Sequence, residues 1–203
     1  MPPLRQDPRG VVSVSVVEVI LQQPLWSQWA IAAVEQRDVA ALARADLERQ
    51  LNAADWYIPA QRELRAGMQS ISAAAFAIEG WAFAADGEVA QQTLGSSGVM
   101  RIIRARHRLP EDLRKKLTPR LDVLYRHRGE LVHHKSPARS GKRHPLYGST
   151  AHESATYSYE GAVEACETLR MIVQFCHPYP NPDRLPDPAA EGHANIVIAE
   201  VGW

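Results

Sequence analysis

Residues 126 to 135, RHRGELVHHK, hold two arginines, three histidines, one glutamate and one lysine around a Leu-Val pair. Histidine moves protons near neutral pH. Arginine offers a planar fork of donors that matches phosphate oxygens. The two together supply what general acid/base chemistry at a phosphodiester needs. Placement decides whether they can cooperate. Leu121, Leu124, Arg128 and Leu131 recur at three, four and three residues, so Arg128 occupies a position in an apolar helical stripe. A guanidinium there must snorkel, pair with an acid, or face a cleft or an interface. His133 follows Arg128 by five residues, roughly 140° round an ideal helix, whereas Arg126 and His133, seven apart, share a face. Gly129 inside the same helix costs about 1 kcal/mol relative to alanine.

The cluster sits in a strongly basic window. Residues 101–146 contain fourteen Lys/Arg and four acids, a net +10, although the whole chain of 203 residues is neutral. Five of the eight histidines fall there too. Such an asymmetry attracts phosphate or another polyanion, unless the basic helices simply pack beside acidic ones. Cations in a last helical turn also offset the helix dipole, which by itself accounts for His133, His134 and Lys135 in a purely structural role. Asp122 and Arg126, four apart, fit an ordinary helix-surface pair.

Other chemistries find little support. No histidine pair has the one-turn spacing of a helical zinc site, and the cysteines, Cys166 and Cys176, lack ligand spacing. Ten residues apart on one helix, those thiols are also too distant to bridge, and they read as inert core residues in a reducing compartment. GSSG at 95–98 has no following lysine, so there is no phosphate loop. No cofactor and no metal are expected. Tyr147, Tyr157 and Tyr159 could stack bases or anchor loops. Residues 1–10 are polar and no apolar run is long enough to span a bilayer, so a cytoplasmic protein with no signal peptide and no membrane partner is expected.

The elements that position the cluster are mostly helical. A first helix is expected from about Leu25 to Ala54, its apolar positions being Trp29, Ala33, Ala40, Ala43 and Leu47. A second follows Pro59 and ends near Asp86-Gly87. Its centre, SISAAAFAIEGWAFAA, is small and nearly uncharged, as a central buried helix would be, and Glu79 within it requires a partner. A short basic helix, VMRIIRARHRL, precedes Pro110, and EDLRKKL forms one or two turns. Thr118-Pro119 then reads as a cap and first turn of the helix that carries the cluster. A loop covers 136–157. A last helix runs from about 159 to 176, with Ala162, Cys166, Leu169, Val173 and Cys176 on one face. VVSVSVVEVI at 11–20 and NIVIAEV at 195–201 read as terminal β-strands, the second reached through a Pro-rich connector at 178–188.

An arginine followed four to six residues later by a histidine, near the end of a helix in a small helical bundle, resembles the HEPN superfamily. The residues that carry the resemblance run from Arg128 to His133, or from Arg126 to His133 in the longer frame, together with the Ala/Ser-rich helix at 70–85. It covers residues 25–177, the expected helical domain, with the lead-in and strand at 1–24 and the connector and strand at 178–203 outside it. The resemblance implies a mainly α, four- to five-helix bundle, usually a homodimer, to which this chain would add its short N- and C-terminal β-strands. It further implies an RNA- or nucleotide-binding protein, in many members a metal-independent endoribonuclease of toxin or defence type with an antitoxin or other protein partner. In others it is a non-catalytic nucleotide, RNA or protein-interaction module. In that frame His133 would be the acid/base and Arg128 the phosphate ligand, with Arg126, His127, His134 and Lys135 as supporting substrate contacts. RNA brings its own nucleophile, the 2′-OH. In the family the residue after the arginine is usually polar. Here it is Gly129 or His127, so the functional arginine is either Arg128 or Arg126.

Overall fold

The computed structural model describes residues 25–51, 54–86, 95–107, 109–133, 143–146, 148–149, 152–176, 195 and 197–203. It is a mainly helical bundle. Its elements are α1 (Leu25–Gln50), α2 (Tyr57–Asp86), α3 (Ser96–Arg106), α4 (Glu111–His133), a two-stranded hairpin β1 (Arg143–His144) and β2 (Gly148–Ser149), α5 (His152–Thr156) and α6 (Tyr159–Cys176). The expected N-terminal strand lies outside the described residues.

α2 is the axis of the bundle. Ile71, Ala73, Ala74, Ala75, Ala77, Ile78, Trp81 and Ala82 are all buried, so the helix is apolar nearly all round. It packs against α1, α3, α4 and α6. Small side chains bring α1 in close: a Cβ added at Gly80 would stand 2.8 Å from the Trp26 Cβ. On the inner face of α1, Trp26, Ala30, Ala33, Ala40, Ala43 and Leu47 are buried. Trp26 therefore takes the inward place expected of Trp29, which is exposed.

Two expectations are corrected. α4 does not begin at Thr118-Pro119. It starts at Glu111 and runs through Pro119 unbroken. Proline inside a helix removes a donor and crowds the carbonyl four residues back, at a cost of about 3 kcal/mol. Here Pro119 sits on the exposed face, where water can serve that carbonyl, while buried Leu117, Leu121 and Leu124 hold both sides of the helix on the core. The Thr118 hydroxyl donates to the Arg114 carbonyl at 2.9 Å instead of capping a new helix. The C-terminal strand is also wrong, since residues 197–201 are helical. A short apolar run suits either conformation, and no strand stands beside it among the described residues. Val197 is buried, and Ile198, Val201 and Trp203 pack on the core. Gly202 at φ +69° and the Trp203 N–H donating to the Ile198 carbonyl at 3.1 Å end the turn as a Schellman cap. The segment at 136–157, expected as loop, contains the hairpin and α5.

The junction between α5 and α6 lies tight against its neighbours. A Cβ at Gly67 would come 1.9 Å from the Tyr157 carbonyl oxygen, and one at Gly161 would come 2.2 Å from that of Thr156. Gly129, by contrast, has nothing within 4 Å of an added Cβ among the described residues. Gly129→Ala is expected to stabilise the fold by up to about 1 kcal/mol, the helix-propensity difference. Gly67→Ala is expected to destabilise it by about 3 kcal/mol, because backbone has to move. Urea unfolding of the two variants checks both signs.

Candidate functional site

α4 presents three different faces. Leu117, Leu121, Leu124, Arg128 and Leu131 point toward the bundle. Lys115, Pro119, Asp122, Arg126 and His133 follow at helical spacing on the opposite side, all exposed. Arg120, Val123 and His127 lie between these two and line a groove against α6.

The core-facing arginine is occupied. Arg128 donates through Nη2 to Glu79 Oε2 at 3.3 Å, with side-chain exposures of 15% and 8%. Its guanidinium also lies 5.0 Å above the Phe76 ring, a cation–π contact. Glu79 thus has the partner its position requires. The pairing is sparse, however: Glu79 Oε1, Arg128 Nε and the Tyr125 hydroxyl are buried without a hydrogen-bond partner. Burial accordingly raises the Glu79 carboxyl above its ordinary range, against the opposing pull of Arg128. Burial and the Glu79 charge also raise the Tyr125 phenol.

His133 ends α4 exposed, so Arg128 and His133 diverge. Arg126 and His133 do share the outer face, roughly 10 Å apart along the axis. Arg126 and Asp122, the expected surface pair, make no ion pair; nor does any described acid pair with Arg101, Arg104, Lys116, Arg126 or His133. His127 turns aside to the groove, edge-on to Tyr157 at 6.2 Å between ring centroids. His134 and Lys135 lie outside the described residues. Tyr157 is buried, its phenol pushed up to about 12 by burial and by Glu130 and Glu153, so it anchors the junction and is not open for stacking. Tyr147 and the Cys176 side chain lie outside the described residues. Cys166 is buried, its thiol raised to about 11 by burial, which makes it the inert core residue expected. No group of His, Cys, Asp and Glu among the described residues could hold a metal ion, and no described helix is long and apolar enough to cross a membrane.

The best-bonded polar cluster lies elsewhere. Arg44 of α1 is buried and forks to two helices. Nε and Nη2 reach Glu63 Oε1 at 3.1 and 2.6 Å, and Nη1 and Nη2 reach the two Glu160 oxygens at 2.5 and 2.7 Å. Glu63 of α2 also accepts the Tyr159 N–H at 2.8 Å, so a carboxylate caps the positive end of α6. His144, from the hairpin, closes the cluster, its Nε2 3.6 Å from Glu63 Oε1 and 3.4 Å from Arg44 Nη2. The Leu146 N–H donates to His144 Nδ1 at 3.2 Å, which places the ring proton on Nε2. Burial, with a smaller contribution from Arg44, lowers the His144 pKa despite the opposing Glu63 and Glu160 charges. Burial raises and Arg44 lowers the Glu160 carboxyl, and the net direction is down. Burial alone would weaken the Arg44 proton, but its bonds to Glu160 and Glu63 outweigh that and hold it raised.

Sequence reasoning missed this cluster, yet half of it carries a signal. Arg44 sits between Ala40 and Leu47 at spacings of four and three, and Glu63 sits between Ala60 and Ala66 at spacings of three and three. These charges occupy core register, as Arg128 does. Glu160 reads as ordinary first-turn chemistry, and nothing periodic marks His144.

Comparison with protein-family models, curated proteins and solved structures finds no match.

Two measurements test these environments. Arg128→Met leaves a buried carboxylate without its cation and is expected to cost about 3 kcal/mol at pH 7. That loss shrinks as pH falls, because the Glu79 carboxyl is already raised and takes up its proton early, and Glu79→Leu added to Arg128→Met recovers most of it in a double-mutant cycle. For His144, the folded value lies below the ordinary histidine value, so the unfolded chain binds the proton first. Its contribution is full above about pH 6.5 and is lost as pH falls toward the lowered value. The urea midpoint should drop more steeply from pH 7.5 to 5.5 in the wild type than in His144→Gln.

Proposed function

We propose that this protein is an RNA-binding, HEPN-like module that binds through the outer face of α4, and that it is the non-catalytic form of that reading. One observation carries the proposal. Arg126 and His133 stand exposed and without ion pairs on the outer face of α4, while Arg128 is held against Glu79. Exposed Arg101 and Arg104 of α3 and Lys116 of α4 add cations without described acid partners. A cation that forms no internal pair can neutralise a backbone phosphate and release a counterion. An arginine bonded to a buried carboxylate must first break that pair. The net +10 of residues 101–146 supports the same reading by drawing a polyanion to this part of the chain.

Metal-independent cleavage is the second reading. It would fall to Arg126 and His133, since these share a face, and it would draw on a second subunit for any closer arginine–histidine approach. The homodimer and a protein partner belong to that reading as well.

Binding of a fluorescent single-stranded RNA is expected to weaken severalfold in Arg126→Ala/His133→Ala and again when Arg101→Ala/Arg104→Ala is added, with a shallower salt dependence at each step. Arg128→Met is expected to leave the affinity within about twofold. Incubation of the same RNA with EDTA should yield no cleavage above that of the Arg126→Ala/His133→Ala variant. Salt-independent binding, or equal affinity in all variants, refutes the RNA-binding surface, and cleavage abolished by His133→Ala converts the reading to the nuclease.

A further inference from the structure

The groove between α4 and α6 has a volume of about 400 Å³, within the range of small-molecule sites. Its apolar wall is formed by Ile71, Val123, Leu124 and Ala165. Its charged groups are Arg120, Glu160 and Glu164. Arg120 donates to Glu164 at 2.8 Å, so these two compensate each other. Glu160 is different, because it forms the edge shared by the groove and the buried cluster. Behind it, one guanidinium serves two carboxylates, Glu63 and Glu160, and His144 is in its neutral form with Nδ1 accepting from Leu146. Among the described residues the cluster thus holds one negative charge in excess. Glu63 is fully buried, whereas the Glu160 side chain is 49% exposed, so the excess faces out at Glu160. The Arg44 fork fixes that carboxylate in position, and a group in the groove would meet it without any rearrangement of the core.

We infer that the α4–α6 groove binds a primary ammonium on an aliphatic stem, with the ammonium against Glu160 and the stem along Val123 and Leu124. An ammonium supplies the missing unit charge and three donors, while the apolar wall removes the stem from water. An anion meets the excess negative charge and finds Arg120 already paired. The groove lies on a different face of α4 from Arg126 and His133, so this ligand and the proposed RNA surface are independent. A free alkylamine and a lysine side chain both present such an ammonium, and the two sources differ in the bulk carried at the far end of the stem.

The test is titration of the folded protein, followed by amide NMR shifts, with hexylamine, hexan-1-ol, hexyl phosphate and N-acetyl-lysine methylamide. Hexylamine is expected to bind saturably, shifting amides of Val123, Glu160, Gly161 and Glu164, at least about tenfold more tightly than the alcohol. Added salt should weaken it. Glu160→Gln, which keeps an oxygen for Arg44, should lower hexylamine affinity at least about tenfold while leaving the alcohol unchanged. Val123→Trp, at a half-exposed position on the groove wall, should block both ligands without unfolding the protein, as circular dichroism would confirm. Binding of the lysine amide comparable to hexylamine assigns a side-chain source, and binding of hexylamine alone assigns a free amine. Equal affinity for amine and alcohol, tighter binding of hexyl phosphate, full hexylamine affinity in Glu160→Gln, or no saturable binding to the folded wild type would each overturn the inference.

Discussion

The Arg44 guanidinium is shared by carboxylates from two helices, and through them it ties α1, α2, α6 and the β1–β2 hairpin into one polar joint. Burying the Arg44–Glu63 pair is costly, and the cost is offset only when nearly every donor and acceptor finds a partner. Here Nε, Nη1 and Nη2 all donate, and Glu63 Oε1 also takes the first N–H of α6. The joint sets where α6 begins, and with it the tight approach of the α5–α6 junction to Gly67. It also fixes Glu160, which lines the α4–α6 groove. Polar geometry in the core thereby determines charge at the surface.

Arg128 makes an instructive contrast. It too occupies core register, and it too meets a buried carboxylate, but the contact is a single 3.3 Å bond with Nε and Glu79 Oε1 left unsatisfied. The Phe76 ring supplies part of what hydrogen bonds do not. A pair of this kind contributes little net stability, although removing one partner alone leaves a buried charge uncompensated. It also removes the arginine of the shorter motif frame from the solvent, which is why the outer pair, Arg126 and His133, becomes the more accessible chemistry on this helix.

α4 can serve these separate roles because one helix repeats its faces every seven residues or so. The leucines hold the core, Arg120 and His127 border the groove, and the cations of the outer face remain in water. Pro119 survives on that outer face because the neighbouring leucines are buried on both sides of it. Burial of the flanking leucines outweighs the local cost of one missing donor, and the helix runs through a residue that on its own would end it.

The amino-acid sequence by itself determined the helical periodicity, the small-residue character of α2, the need of Glu79 for a partner and the inward register of Arg128, since all of these follow from spacing along one helix. It also placed Arg126 and His133 on one face. Tertiary structure alone decided that residues 197–201 coil into a capped turn, because a short apolar segment takes the conformation its surroundings allow. It decided that α4 continues through Pro119, because that depends on what the leucines meet. It brought Arg44, Glu63, His144 and Glu160 together from four elements as far as 116 residues apart. Arg44 and Glu63 announce themselves as charges in core register, but periodicity says only that a partner is required. Which partner is met depends on the packing of helices distant in the chain.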